Sequence, residues 1–105
     1  MTNSSLIYIN CSNKIEAEKI AKHLVKNNLV ACANIGAEVE SYYLWNEKVE
    51  SDKEVILLLK TAKSKFDEVE KEVKSLHSYD CPCIISIDIA EGSKDFIDWI
   101  ENSVN

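Results

Sequence analysis

SYYLWNEKVESDKEVILLLKT, residues 41–61, reads as the far part of a long β-hairpin. Ser41, Tyr43 and Trp45 continue an alternation begun at Val39, and alternate residues of an extended chain share a face. Asn46, Glu47 and Lys48 supply a polar turn, and Val49 begins the return. Lys53 to Thr61 is a second, more apolar strand centred on Val55, Ile56, Leu57, Leu58 and Leu59. A run that is apolar on both faces belongs inside a sheet or under cover on both sides. The strand-like pattern starts upstream at Leu29, with a kink expected at Gly36, so 29–61 is predicted to form one hairpin.

Working outward, Leu6 to Cys11 alternates around Ile7, Tyr8 and Ile9 and reads as a first strand. Ser12 and Asn13 then offer cap chemistry, with Glu16 three residues after Asn13. Ala17, Ile20, Ala21, Leu24 and Val25 keep helical spacing, which predicts a helix to about Asn28. Downstream, Ser64 is expected to cap a helix carrying Phe66, Val69, Val73 and Leu76 on one face. His77 to Cys83 is a loop, and Ile84 to Ala90 a strand with Ile85, Ile87 and Ile89 on one side, Ser86 and Asp88 on the other. After Gly92 and a Ser93 cap comes a short helix with Phe96, Ile97 and Ile100.

The resulting order, βαββαβ plus a C-terminal helix, predicts an α+β ferredoxin-like split βαβ, an antiparallel sheet with helices on one face. With 105 residues the chain is expected to be a single domain, 1–105. Two long helices cover only one face of a sheet. The other face needs a partner, and the apolar Tyr42, Tyr43, Leu44 and Trp45 indicate where one docks. Self-association is the expected answer.

Composition narrows the function classes. Hydrophobic residues at 46% and charged residues at 29% fit a packed domain and exclude a disordered chain. The formal net charge is −6, and the lysines alternate with acids, as in Lys63, Lys65, Asp67 and Glu68. No basic patch forms, so nucleic acid is not an expected partner. The longest apolar run, Val55 to Leu59, is too short to span a bilayer, and no leader pattern is visible. No membrane partner is expected. A cytoplasmic location follows as the expectation, with Cys11, Cys32, Cys81 and Cys83 reduced.

Chain direction places the chemistry. If the first strand ends at the top, the loop before the last strand lies at the top as well. Cys11, His77, Cys81, Cys83 and the hairpin tip from Trp45 to Lys48 then share one edge, with Cys32 at the opposite end. Thiolate and imidazole suit Cu(I), Cu(II) or Zn(II), so Cys11 and His77, joined by Cys81 or Cys83, are candidate ligands. The plainer reading of Cys11 is a small hydrophobe buried in a strand. Cys81 and Cys83, flanking Pro82, could clamp a soft metal, act as a redox dithiol or be structural.

Nothing assembles a nucleophile with its base, and no GxSxG occurs. His23, beside Lys22, is expected to face solvent. Two isolated glycines cannot build a phosphate cradle, so no organic cofactor is expected. An enzyme is therefore not the expected class. Trp45 among Tyr42 and Tyr43 fits an interface or a ligand crevice.

Several motifs, in order along nearly the whole chain, resemble the CutA divalent-cation tolerance family. Leu29-Val30-Ala31-Cys32-Ala33-Asn34-Ile35 is similar to that family's L-A-A-C-x-N-I. Residues Ser41 to Glu50 are similar to S-x-Y-x-W-x-G-K-I-E, and Glu54-Val55 with Leu58 to Thr61 to E-V-x-L-x-x-K-T. His77 to Pro82 resembles H-P-Y-E-x-P, and Asp98-Trp99-Ile100 the closing Y-x-x-W-L.

The resemblance implies a ferredoxin-like protomer in a tight homotrimer, its long hairpins pairing between subunits, and a non-enzymatic role in copper or other divalent-metal tolerance. It also implies weak metal binding at Cys11 and His77. The family's His pair maps to Leu76 and His77, so one histidine is lost. Ser78 stands where the family has Pro. Cys83 replaces a common Glu, which would soften the site towards Cu(I) or Zn(II) and adds Cys83 to the candidate metal ligands. Tyr43, Trp45, Lys48 and Tyr79 are candidates for a ligand cleft or the trimer interface. The alternative is a trimeric signalling module taking a small metabolite or nucleotide in inter-subunit clefts.

Overall fold

A computed structural model describes residues 1–105. Ser4–Cys11 forms β1 and Lys14–Lys26 the helix α1. Cys32–Trp45 and Lys48–Ala62 form the hairpin strands β2 and β3. A 3₁₀ turn at Lys63–Lys65 leads into α2, Phe66–Leu76, followed by β4, Ile84–Asp88, and α3, Lys94–Ser103. The sheet order is β2-β3-β1-β4, and every neighbouring pair is antiparallel. This is the expected split βαβ, with the apolar β3 in the interior of the sheet.

One face of the sheet carries the core. Ile7, Ile9 and Cys11 of β1 and Val55, Leu57 and Leu59 of β3 point to the same side. They pack under Ala17, Ile20 and Leu24 of α1 and Val69 and Val73 of α2. Each fully buried aliphatic side chain stabilises the fold by about 1.5–3 kcal/mol. Asn13 caps α1 by accepting the Glu16 N–H at 2.8 Å, while Glu16 reaches back to accept the Ser12 N–H at 3.2 Å. The pair is a capping box displaced by one residue. Asn28, at φ 57, ends the helix in the left-handed conformation that Asn tolerates well.

Two local expectations fail. Ser64 does not cap α2: it lies inside the 3₁₀ turn, and the residue at the helix boundary is Lys65, with no side-chain cap bond. His23 is not simply solvent-facing, because its Nε2 lies 2.9 Å from Glu72 Oε1 and ties α1 to α2.

The kink expected at Gly36 is a β-bulge. Ile35 pairs with Leu57 but Glu38 with Val55, so three steps on β2 oppose two on β3. The extra residue inverts the alternation beyond it. Val39, Ser41, Tyr43 and Trp45 therefore lie on the side away from α1 and α2, with Asp52 and Glu54 of β3. Beyond Val55, where β1 ends, β2 and β3 pair only with each other and project from the sheet.

The two long helices share one face, as expected, whereas α3 lies against one end of the other. Ser4 Oγ donates to Glu101 Oε2 at 3.5 Å, and Lys60 Nζ stands 5.9 Å from the centre of the Phe96 ring. Ile85 and Ile87, on the same side as Tyr8 and Leu6, stay about half exposed at 52% and 49%.

Candidate functional site

Cys11, Glu16 and His77 meet where β1 runs into α1 and α2 ends. Their ligand atoms all lie within 4.8 Å of one another. The Cys11 thiol is fully buried and the His77 ring has no exposed side-chain surface. His77 Nε2 donates to the Asn10 carbonyl at 2.8 Å, which fixes the proton on that nitrogen, since a carbonyl can only accept. Nδ1 accepts the Tyr79 N–H at 3.1 Å and stands 3.3 Å from Glu16 Oε1. The other Glu16 oxygen accepts the Ser78 N–H at 3.2 Å. Burial alone would raise the Glu16 carboxyl, but hydrogen bonds from Ser78 and Ser12 outweigh it and hold the group below its ordinary range.

These residues fit a borderline or soft cation in donor type and proximity. Nδ1 and Glu16 Oε1 bring two lone-pair-bearing atoms together, an arrangement that a cation relieves. Two features oppose it. Tyr79 N–H already occupies Nδ1, and burial, followed by the Glu16 and Glu54 charges, pushes the Cys11 thiol up to about 12. A metal here competes with the Cys11 proton, which predicts weak binding that strengthens with pH.

Cys83 is not brought into this group. Ile84 pairs with Ile9 on the core side, so Cys83, one residue earlier, falls beside Asn10 on the opposite side of the sheet. Burial, then the Glu54 charge, raises its thiol, which weakens it as a redox nucleophile. Cys81 is exposed, and none of the four cysteines is in a disulfide.

A second constellation lies on the hairpin. Tyr43, Trp45, Asp52, Glu54, Tyr79, Asp80 and Cys81 line a groove of about 480 Å³ between the projecting strands and the loop after α2. The bulge at Gly36 gives Tyr43 and Trp45 this side of the hairpin. Lys48 pairs with Trp45 across the tip, is exposed, and does not line the groove. Tyr43 donates to Asp52 at 2.5 Å, and Asn10 Nδ2 donates to Glu54 at 3.0 Å. Burial would raise the Glu54 carboxyl, yet hydrogen bonds from Ser41, Asn10 and Tyr79 hold it low. Conversely, burial and the bond to Glu54 push the Tyr79 hydroxyl up to about 12.

Of the residues singled out in the sequence, the structure brings Cys11 together with His77, and Tyr43 and Trp45 together with Tyr79, and it adds Glu16 to the first group and Asp52 and Glu54 to the second. Glu16 was legible only as a cap, and the same reach that makes the cap delivers its carboxylate to His77.

A family model described as "CutA1 divalent ion tolerance protein" matches residues 5–103. The divalent-cation tolerance protein CutA of Archaeoglobus fulgidus is 44% identical over 100 residues, covering 95% of this chain and 97% of that protein. The solved structure of the "Periplasmic divalent cation tolerance protein CutA" from Archaeoglobus fulgidus superposes with TM-score 0.93 at 43% identity, covering 97% and 99% of the two chains. That of the divalent cation tolerance protein from Thermus thermophilus gives TM-score 0.94 at 35% identity, over 97% and 99%.

Proposed function

This chain belongs to the CutA1 divalent ion tolerance family, and from that premise we propose that it is a non-enzymatic homotrimer. In this reading it weakly binds copper or another divalent ion at Cys11, Glu16 and His77 and contributes to the cell's response to metal ions. The observation that carries the metal reading is the convergence of a thiol, a carboxylate and an imidazole within 4.8 Å. Cys11, Glu16 and His77 would hold the cation, which when bound would supply positive charge that offsets the Glu16 carboxylate. The chain's own part is to present the three donors, to exclude water through the burial of Cys11 and His77, and to release the Cys11 proton.

Titration with Zn(II) or Cu(II) tests this. Saturable uptake that strengthens from pH 6 to 8 and falls about tenfold or more in Cys11→Ser supports it; equal uptake by the two chains removes it. The trimer reading is supported by the half-exposed Ile85 and Ile87 and by the projecting, apolar Tyr43, Leu44 and Trp45. Light scattering should find three chains per particle, and a folded monomer at micromolar concentration overturns that. We place the protein in the cytoplasm, where its four free thiols stay reduced; cell fractionation checks the assignment against the periplasmic location given for the Archaeoglobus fulgidus relative.

The groove along Tyr43, Trp45 and Tyr79 favours a second reading, a signalling module whose inter-subunit clefts take a small metabolite or nucleotide.

A further inference from the structure

Three aromatic side chains (Tyr43, Trp45, Tyr79) and three carboxylates (Asp52, Glu54, Asp80) line the hairpin groove, and no lysine or arginine does. None of the ion pairs in the protein engages Asp52, Glu54 or Asp80. The hydrogen-bond donors on Asp52 and Glu54 are uncharged: Tyr43 on Asp52 and Asn10 on Glu54. Such donors satisfy a carboxylate without neutralising its charge. The groove therefore carries fixed negative charge against an aromatic wall.

We propose that this groove binds a small organic ammonium ion, whose charge is met by Asp52 and Glu54 and whose apolar part lies against Tyr43, Trp45 and Tyr79. The inference rests on the cleft reading above and names the ligand class for it. Charge complementarity selects the occupant. An ammonium ion gains both the carboxylates and the aromatic rings, since cations are attracted to ring faces. A nucleotide would bring phosphates against three carboxylates and is disfavoured by like-charge repulsion. At about 480 Å³ the groove suits a ligand of small-metabolite size.

The test uses the full chain, at neutral pH with EDTA present so that metal ions do not contribute. Benzylammonium, the probe, is compared with its neutral isostere benzyl alcohol and with AMP by calorimetric titration and by proton NMR of the Trp45 indole. The expected result is saturable benzylammonium binding, at least about tenfold tighter than benzyl alcohol, the size of one charge-assisted contact. Glu54→Gln should weaken it by a similar factor. Asp52→Asn, on the projecting exposed part of the hairpin, should do so without risk to the fold. Equal affinity for amine and alcohol, or affinity unchanged in both variants, overturns the ammonium assignment. Binding of AMP without benzylammonium overturns the assignment but keeps the cleft reading. Silence from all three probes overturns both.

Discussion

His77 Nε2 donates to the main-chain carbonyl of Asn10 at 2.8 Å, so the residue that ends α2 is fastened to the next-to-last residue of β1. The same ring takes the Tyr79 N–H on Nδ1. One imidazole thus fixes the loop carrying Tyr79, Asp80 and Cys81 and, through it, one wall of the hairpin groove.

Replacing His77 with Ala should therefore cost stability and also disorder the groove. It removes two hydrogen bonds and leaves a cavity in a site without exposed side-chain surface. The expected loss is about 2–4 kcal/mol, from urea unfolding at fixed protein concentration. A loss below about 0.5 kcal/mol would show that the fastening is not structural.

Glu16 makes the fold sensitive to acid. Its carboxyl is depressed in the folded chain, so its contribution is fully present above the unfolded value of about 4.3 and is lost as pH falls through the lower folded value. Glu16→Gln should lower stability at pH 7 and should flatten the decline between about pH 5 and 3. Parallel melting curves for the two proteins across that range would contradict the assignment.

Thiol labelling should follow burial and ionisation. Cys81 is exposed, Cys32 and Cys83 are partly covered, and Cys11 is buried with its thiol pushed up to about 12. Since the thiolate is the reactive form, iodoacetamide at pH 8 should modify Cys81 first and Cys11 only on unfolding. Mass spectrometry of timed samples reads the order, and early modification of Cys11 would show its site to be open. The raised Cys11 value also predicts that stability declines as pH rises from about 8.5 towards 12, because deprotonation is easier in the unfolded chain.

The hairpin tip is strained at Glu47. Asn46 and Glu47 have φ of 51 and 65, the left-handed pair of a two-residue turn that favours Asn followed by Gly. Asn tolerates this region and Glu does not. Glu47→Gly should stabilise the protein by about 1 kcal/mol, seen as a higher melting temperature with unchanged oligomer mass. An unchanged or lower melting temperature would mean that the Glu47 side chain makes compensating contacts.

Element order was legible because it is written in local periodicity. The period of 2 at Val39 to Trp45 and the helical spacing at Ala17 to Leu24 need no knowledge of the rest of the chain. Gly36 announced the bulge for a similar reason, since a lone glycine in a strand pattern marks a break in pairing. Chain direction alone then brought Cys11 and His77 to one edge. Which side of the sheet a residue serves depends on register, and register exists only between strands. Cys83 reads as a companion of Cys11 until the pairing of Ile84 with Ile9 turns it to the other side. Likewise, Glu16 is a helix cap in sequence. Only the packing of α1 against the end of α2 brings its carboxylate within 3.3 Å of His77. Asp52 and Glu54 look like solvated charges until the inverted alternation beyond Gly36 sets them beside Tyr43 and Trp45. Local patterning decides which elements form, whereas convergence of polar groups distant in sequence requires the register and loop paths that tertiary packing alone supplies.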